Sequence, residues 1–146
     1  MIDNMTEGFV AADPEHKSDY ENNAASYKES LSQLHQELIG LFKKKTNRRF
    51  IIFHPAWGYF ANTYNLTQIP IEVEGKEPGV LDLKKLISIA GKESLKTVFA
   101  SPQFNAESAE IIASEIGGSV VFIDHLRRDY LINMYETAEK LAASMK

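Results

Sequence analysis

The chain contains no cysteine, which excludes disulfides, thiolate metal sites and cysteine nucleophiles together. No apolar run is long enough to span a bilayer. Gly-x-Ser-x-Gly elbows, phosphate loops and dinucleotide Gly-x-Gly-x-x-Gly turns are all missing, and with them the common local signatures of hydrolases, nucleotide enzymes and dehydrogenases. There is no internal repeat and no low-complexity segment. Basic residues are outnumbered, for a net charge of −4. The one basic cluster, Lys43-Lys44-Lys45 with Arg48-Arg49, closes a helical stretch, where cations complement the helix dipole. It therefore reads as a solvated helix end and not as a nucleic-acid surface. The amino terminus lacks the basic start and apolar core of an export signal. The expectation is a cytosolic protein or a piece of a longer chain.

What is present suffices for one domain: 146 residues, 44% of them hydrophobic, can bury a sizeable core. Residues 1–12 carry Ile2, Met5, Phe9 and Val10 at helical spacing but no start signal, and Asp13-Pro14 breaks the pattern with turn chemistry. Ser18 and Glu21 match a capping box. Tyr20, Ala24, Tyr27, Leu31, Leu34, Leu38 and Leu41 then recur at alternating steps of four and three, which predicts a helix over 18–45. Such a helix is about 40 Å long, more than one small sheet needs as cover. A coiled-coil dimer seam and a strut between two lobes both account for it. Gly40 weakens its last turns.

From residue 50 onward the pattern is β-α-β-α-β-α-β-α. The strands are Phe50–Phe53, Gln68–Val73, Thr97–Ala100 and Ser119–Ile123. A helix follows each, the first over 55–64 and the third capped by Asn105. This alternation predicts an α/β three-layer sandwich with a four-stranded parallel sheet.

In a parallel sheet every carboxyl end lies on one edge. His54 ends the first strand and Asp124 the last, so imidazole and carboxylate can reach one site, a pair suited to a divalent metal. The alternatives are a histidine packed under Trp57, Tyr59 and Phe60, and an aspartate that merely caps its turn. Glu77 and Gln103 follow the second and third strands on the same edge. Gln103 can hydrogen-bond a ligating residue, and Glu77 is otherwise a solvated loop glutamate. His125 adjoins Asp124, and both can face one ion only where the backbone turns. His16 and His35 lack metal-pair spacing and read as surface residues. A triad of Ser101, His54 and Asp124 can be drawn, but Pro102 removes an oxyanion-hole N–H. The chain is not expected to be an enzyme.

The run His54-Pro55-Ala56-Trp57-Gly58-Tyr59-Phe60-Ala61, with Tyr64 and Leu66, resembles the carboxyl-terminal lobe of the zinc/manganese solute-binding proteins of ABC transporters. So do Glu74-Gly75-Lys76-Glu77-Pro78, Pro102-Gln103-Phe104 with Ser108-Ala109-Glu110, and Val121-Phe122-Ile123-Asp124. Asp13-Pro14 followed by Tyr20, Asn23, Ala24 and Tyr27 resembles the start of that family's backbone helix. The resemblance implies two α/β lobes joined by one rigid helix, with the metal between them. Two histidines would come from the amino-terminal lobe, and His54 and Asp124 from this one. It divides the chain into a remnant helix of the missing lobe (1–12), the inter-lobe helix (18–45) and the lobe itself (50–146).

The resemblance further implies zinc, or manganese as the alternative, because members with histidine at the His54 position tend to be zinc proteins. The partner would be the membrane permease of an ABC importer. The location would be periplasmic, or extracellular and membrane-anchored, in a family that includes cell-adhesion lipoproteins. Two departures stand out: the amino-terminal lobe is absent, and His125 replaces a frequent proline. With two ligands the site is incomplete, unless water, His125 or a second copy in a homodimer supplies the rest. The rival is a non-catalytic dimerisation module of the same fold that has lost its metal.

Overall fold

The computed structural model describes residues 1–72, 75–76, 78–104 and 106–146. They form two compact units, Met1–Glu37 and Leu38–Lys146. In the first, α1 (Ile2–Ala12) and the opening turns of α2 (Lys17–Phe42) flank a 3-10 turn at Pro14–His16. Pro14 opens that turn, where its missing N–H is not needed. Asp13 organises the corner by accepting from His16 Nδ1 and from Tyr20 Oη, both at 2.9 Å. Phe9 stacks on Tyr20 with ring centroids 5.4 Å apart. The turn runs directly into α2, so Ser18 lies inside the helix, where its Oγ accepts from Asn22 Nδ2 at 3.5 Å. It does not stand before the helix as the capping box required. His16 is exposed, as expected, whereas His35 is half-buried.

Helix α2 stops at Phe42 rather than at residue 45, and Arg48 explains why. Its guanidinium donates to the Phe42 carbonyl at 3.0 Å and to the Lys45 carbonyl at 3.1 Å, satisfying acceptors that a helix end leaves open. Lys45 Nζ reaches the Met145 carbonyl at 3.1 Å, and Arg49 pairs with Glu93 at 2.9 Å. These members of the basic cluster are engaged within the fold.

The second unit is a four-stranded sheet, every pairing parallel, in the order β2-β1-β3-β4. The strands are β1 (Arg49–Ile52), β2 (Thr67–Pro70), β3 (Thr97–Ala100) and β4 (Ser119–Phe122). The helices between and after them are α3 (Gly58–Thr63), α4 (Val80–Glu93), α5 (Glu107–Glu115) and α6 (Tyr130–Ser144). Central β1 and β3 are buried along their length after the first residue, while both strands at the edges are exposed at their ends. That division follows from helices covering both faces but not the edges. Pro70 fits an edge strand, where no ladder N–H is missed.

Side chains alternate across the sheet. Ile51, Val98 and Ala100 face one way and join Leu86 and Ala90 of α4 and Ala109, Ile112 and Ala113 of α5 in one cluster. Phe50 and Phe99 are fully buried and meet edge to face at 6.1 Å. Phe42 of α2 and Phe60 of α3 make a second edge-on contact at 6.1 Å. The expected α/β architecture is thus present, with shorter elements. Pro55 to Trp57 form a turn closed by Ala56 N–H on the His54 carbonyl at 2.8 Å, and the helix starts only at Gly58. Strand β2 ends at Pro70; Val73, its expected end, lies outside the described residues, as does the expected cap Asn105.

Gly118 is the tightest backbone approach, because a Cβ there would sit 1.9 Å from the Lys96 carbonyl oxygen. That same carbonyl accepts the Ser119 N–H at 2.9 Å and cannot retreat without breaking the ladder between β3 and β4. Gly118→Ala is expected to destabilise the fold by about 2 kcal/mol. Gly40→Ala, on an exposed helical position with nothing within 4 Å, should stabilise it by about 1 kcal/mol. Urea midpoints for the two variants test the pair, and equal shifts would contradict it.

Candidate metal centre

Strands β1 and β3 are neighbours although they are not consecutive, so the chain's progress across the sheet reverses between them. Open α/β sheets place ligands beyond the carboxyl ends of their strands at such a reversal. His54 stands two residues beyond β1, Glu72 two beyond β2 and Asp124 two beyond β4, while Ser101, Gln103 and Phe104 follow β3. One rim therefore collects them all.

His54 Nδ1 lies 2.7 Å from Glu72 Oε2. An ionised carboxylate only accepts, so the hydrogen in this contact belongs to His54 Nδ1. The imidazole packs on Phe104 at 4.8 Å and lies 6.3 Å from the ring of His125. The aromatic residues that follow His54 go elsewhere. Trp57 and Phe60 are buried against each other at 5.6 Å, and Tyr59 is 95% exposed. His54 is thus not packed beneath that cluster.

A second chain of hydrogen bonds runs along the rim. The Ser101 hydroxyl donates to Gln103 Oε1, which leaves its oxygen to accept from His125 Nδ1 at 3.2 Å. Gln103 Nε2 then donates to Asp124 Oδ1 at 2.6 Å. The two ends fix the amide orientation, since Oε1 can only accept and Nε2 only donate. Asp124 Oδ1 also accepts the Leu126 N–H at 2.9 Å. That Asx turn bends the backbone at once after Asp124, which supplies the condition for Asp124 and His125 to share a rim. Asn133 of α6 ties the Asp124 carbonyl at 2.6 Å. The Leu126 N–H, and after it the Gln103 amide, hold the Asp124 carboxyl below its ordinary value.

His54, Asp124, Gln103 and His125 therefore all stand at one sheet edge, and Gln103 bonds to Asp124. Glu77 lies outside the described residues. Glu72 was missed, because a strand drawn to Val73 hides it in a strand interior. Only the observed strand end at Pro70 gives it the two-residue offset that His54 and Asp124 share. The drawn triad does not form: the imidazole bonded to Ser101 is that of His125, and Asp124 holds Gln103 and Leu126 instead of a histidine.

The donor chemistry suits zinc, with two imidazoles and a carboxylate, each tied back through one atom. Among the described residues, no three His, Cys, Asp or Glu side chains group closely enough to hold a metal ion. Beside it, a groove of about 380 Å³ runs between Trp57, Tyr59 and Tyr64 on one side and His125, Tyr130 and Met134 on the other.

The carboxylate tether has a pH consequence. A depressed native pKa means that the Asp124 contribution to stability is complete above the ordinary carboxylate range and is lost as pH falls through the depressed value. Gln103→Leu removes one of the two tethers, and the Asp124 midpoint should move upward toward the ordinary range. Carboxyl-carbon NMR titration of both proteins reads this directly, and an unmoved midpoint would contradict it.

Residues 1–144 match the family described as "Zinc-uptake complex component A periplasmic". The chain is 32% identical over 127 residues to the high-affinity zinc uptake system protein ZnuA of Bacillus subtilis (strain 168), a match spanning 86% of the chain and 40% of that protein. A crystal structure of ZnuA superposes with a TM-score of 0.93 at 42% identity, over 96% of this chain and 55% of that one. The laminin binding protein Lmb of Streptococcus agalactiae, described as bifunctional with adhesin and metal transporting activity, superposes with a TM-score of 0.88 at 28% identity. This chain covers 58% of that structure. It thus spans about half the length of these relatives. The chain belongs to the zinc-uptake component A family.

Proposed function

We propose that this family member supplies one wall of a zinc-binding site in the solute-binding component of an ABC importer. One observation carries the reading: His54, His125 and Asp124 stand beyond the ends of parallel strands on a single rim, each held through one polar atom. Zinc is cargo here and not a cofactor. His54 and Asp124 are the ligands, Gln103 supports Asp124, and His125 is a supporting donor. Imidazole favours zinc over manganese, which prefers carboxylate, carbonyl and water.

Zinc takes four ligands, or three and a water in an open site. The remaining donors belong to the part of the relatives that this chain does not span, and capture and release follow from that part closing on this rim and leaving it. The partner is the membrane permease, and the place of action is the periplasm or an anchored position outside the membrane. No described helix is long and apolar enough to cross a membrane. In the isolated chain, water, His125 or a second copy completes the coordination.

Isothermal titration of the chain with zinc should show weak binding that His54→Ala and Asp124→Ala each remove and His16→Ala leaves intact. Full retention by His54→Ala would sink the reading. Sedimentation with and without zinc separates the sources of the extra donors: a zinc-dependent dimer means a second copy, and a zinc-bound monomer means water or His125.

A further inference from the structure

We propose that Glu72 is a positioning residue for His54, holding its imidazole in the Nδ1–H tautomer so that Nε2 keeps a free lone pair. The consequence for zinc rests on the function proposed above, whereas the tautomer itself does not.

Four features support the assignment. The contact between His54 Nδ1 and Glu72 Oε2 is 2.7 Å, in the short range of bonds to a charged acceptor. The Glu72 side chain is 15% exposed against 36% for His54, so water competes poorly for the carboxylate while the imidazole keeps an open side. The carboxylate also has a fixed base. Ile71 N–H bonds the Ile52 carbonyl at 2.8 Å and Glu72 N–H bonds the Phe53 carbonyl at 3.0 Å, carrying the pairing of β1 and β2 past the last strand residues. Finally, Phe104 lies against the imidazole at 4.8 Å and restricts its rotation.

The effect is specific because a neutral imidazole in water prefers its proton on Nε2, the nitrogen that Glu72 does not hold. A proton there would block a metal. An acceptor-only group at Nδ1 reverses that preference and makes the ring a better donor, as carboxylate–histidine–zinc arrangements do. A Glu72 that served packing alone would have no reason to fix which nitrogen carries the hydrogen.

The test uses the metal-free chain labelled with 15N in its histidines, at a pH above the imidazole range. Long-range 15N–1H correlations give the tautomer of each ring, and His54→Ala identifies the His54 signals. Wild type should show His54 protonated at Nδ1, and Glu72→Leu should move the proton to Nε2. Glu72→Gln, which keeps an acceptor of the same shape, should restore Nδ1–H in large part. Zinc affinity should fall by about 10–100-fold in Glu72→Leu and recover partly in Glu72→Gln, with unchanged far-ultraviolet circular dichroism. A wild-type His54 protonated at Nε2, or a Glu72→Leu variant with an unaltered tautomer, overturns the proposal. If the tautomer moves but wild type takes no zinc, the positioning role stands and the zinc function fails.

Discussion

The structure depends on the common direction of four short strands. Parallel pairing aligns Ile52 with Pro70 and with Phe99, and Phe99 with Val121, so all four chains leave the sheet at one level. Every polar residue just beyond a strand end is delivered to the same rim. Had any of these strands run antiparallel, its residue would stand on the far side of the sheet. The reversal of strand order between β1 and β3 opens the crevice there, and the helices on both faces keep the rest of the sheet dry.

The rim is built in pairs. Each candidate donor has a companion that takes one of its polar atoms: Glu72 for His54, Ser101 for His125, Gln103 and the Leu126 N–H for Asp124. The side-chain companions come from strands adjacent to those of the donors, since β2 adjoins β1 and β3 adjoins β4. Neighbouring strands thus set the orientation of one another's terminal residues. This arrangement holds the three side chains in set orientations.

The basic cluster shows the same economy at the opposite end of the strands. Arg48 closes α2 by taking the carbonyls of Phe42 and Lys45, and Arg49 anchors the end of α4 through Glu93. Arg48 thus completes a helix end, and both guanidiniums are engaged within the fold where a solvated helix end was expected.

Periodicity alone determined the order of elements, the parallel class of the sheet and the long helix, because apolar spacing reports which face of an element is covered. The residue after each strand was also legible, so His54, Asp124, Gln103 and His125 could be named before any coordinates. Boundaries were not. The Arg48 guanidinium takes the Phe42 carbonyl where α2 ends, and a turn over residues 55–57 puts the start of α3 at Gly58. Strand order, the Asx turn that lets Asp124 and His125 share a rim, and the bond from His54 to Glu72 belong to the tertiary structure alone. Each joins residues far apart in the chain or depends on a backbone bend, and neither leaves a period in the sequence to be read.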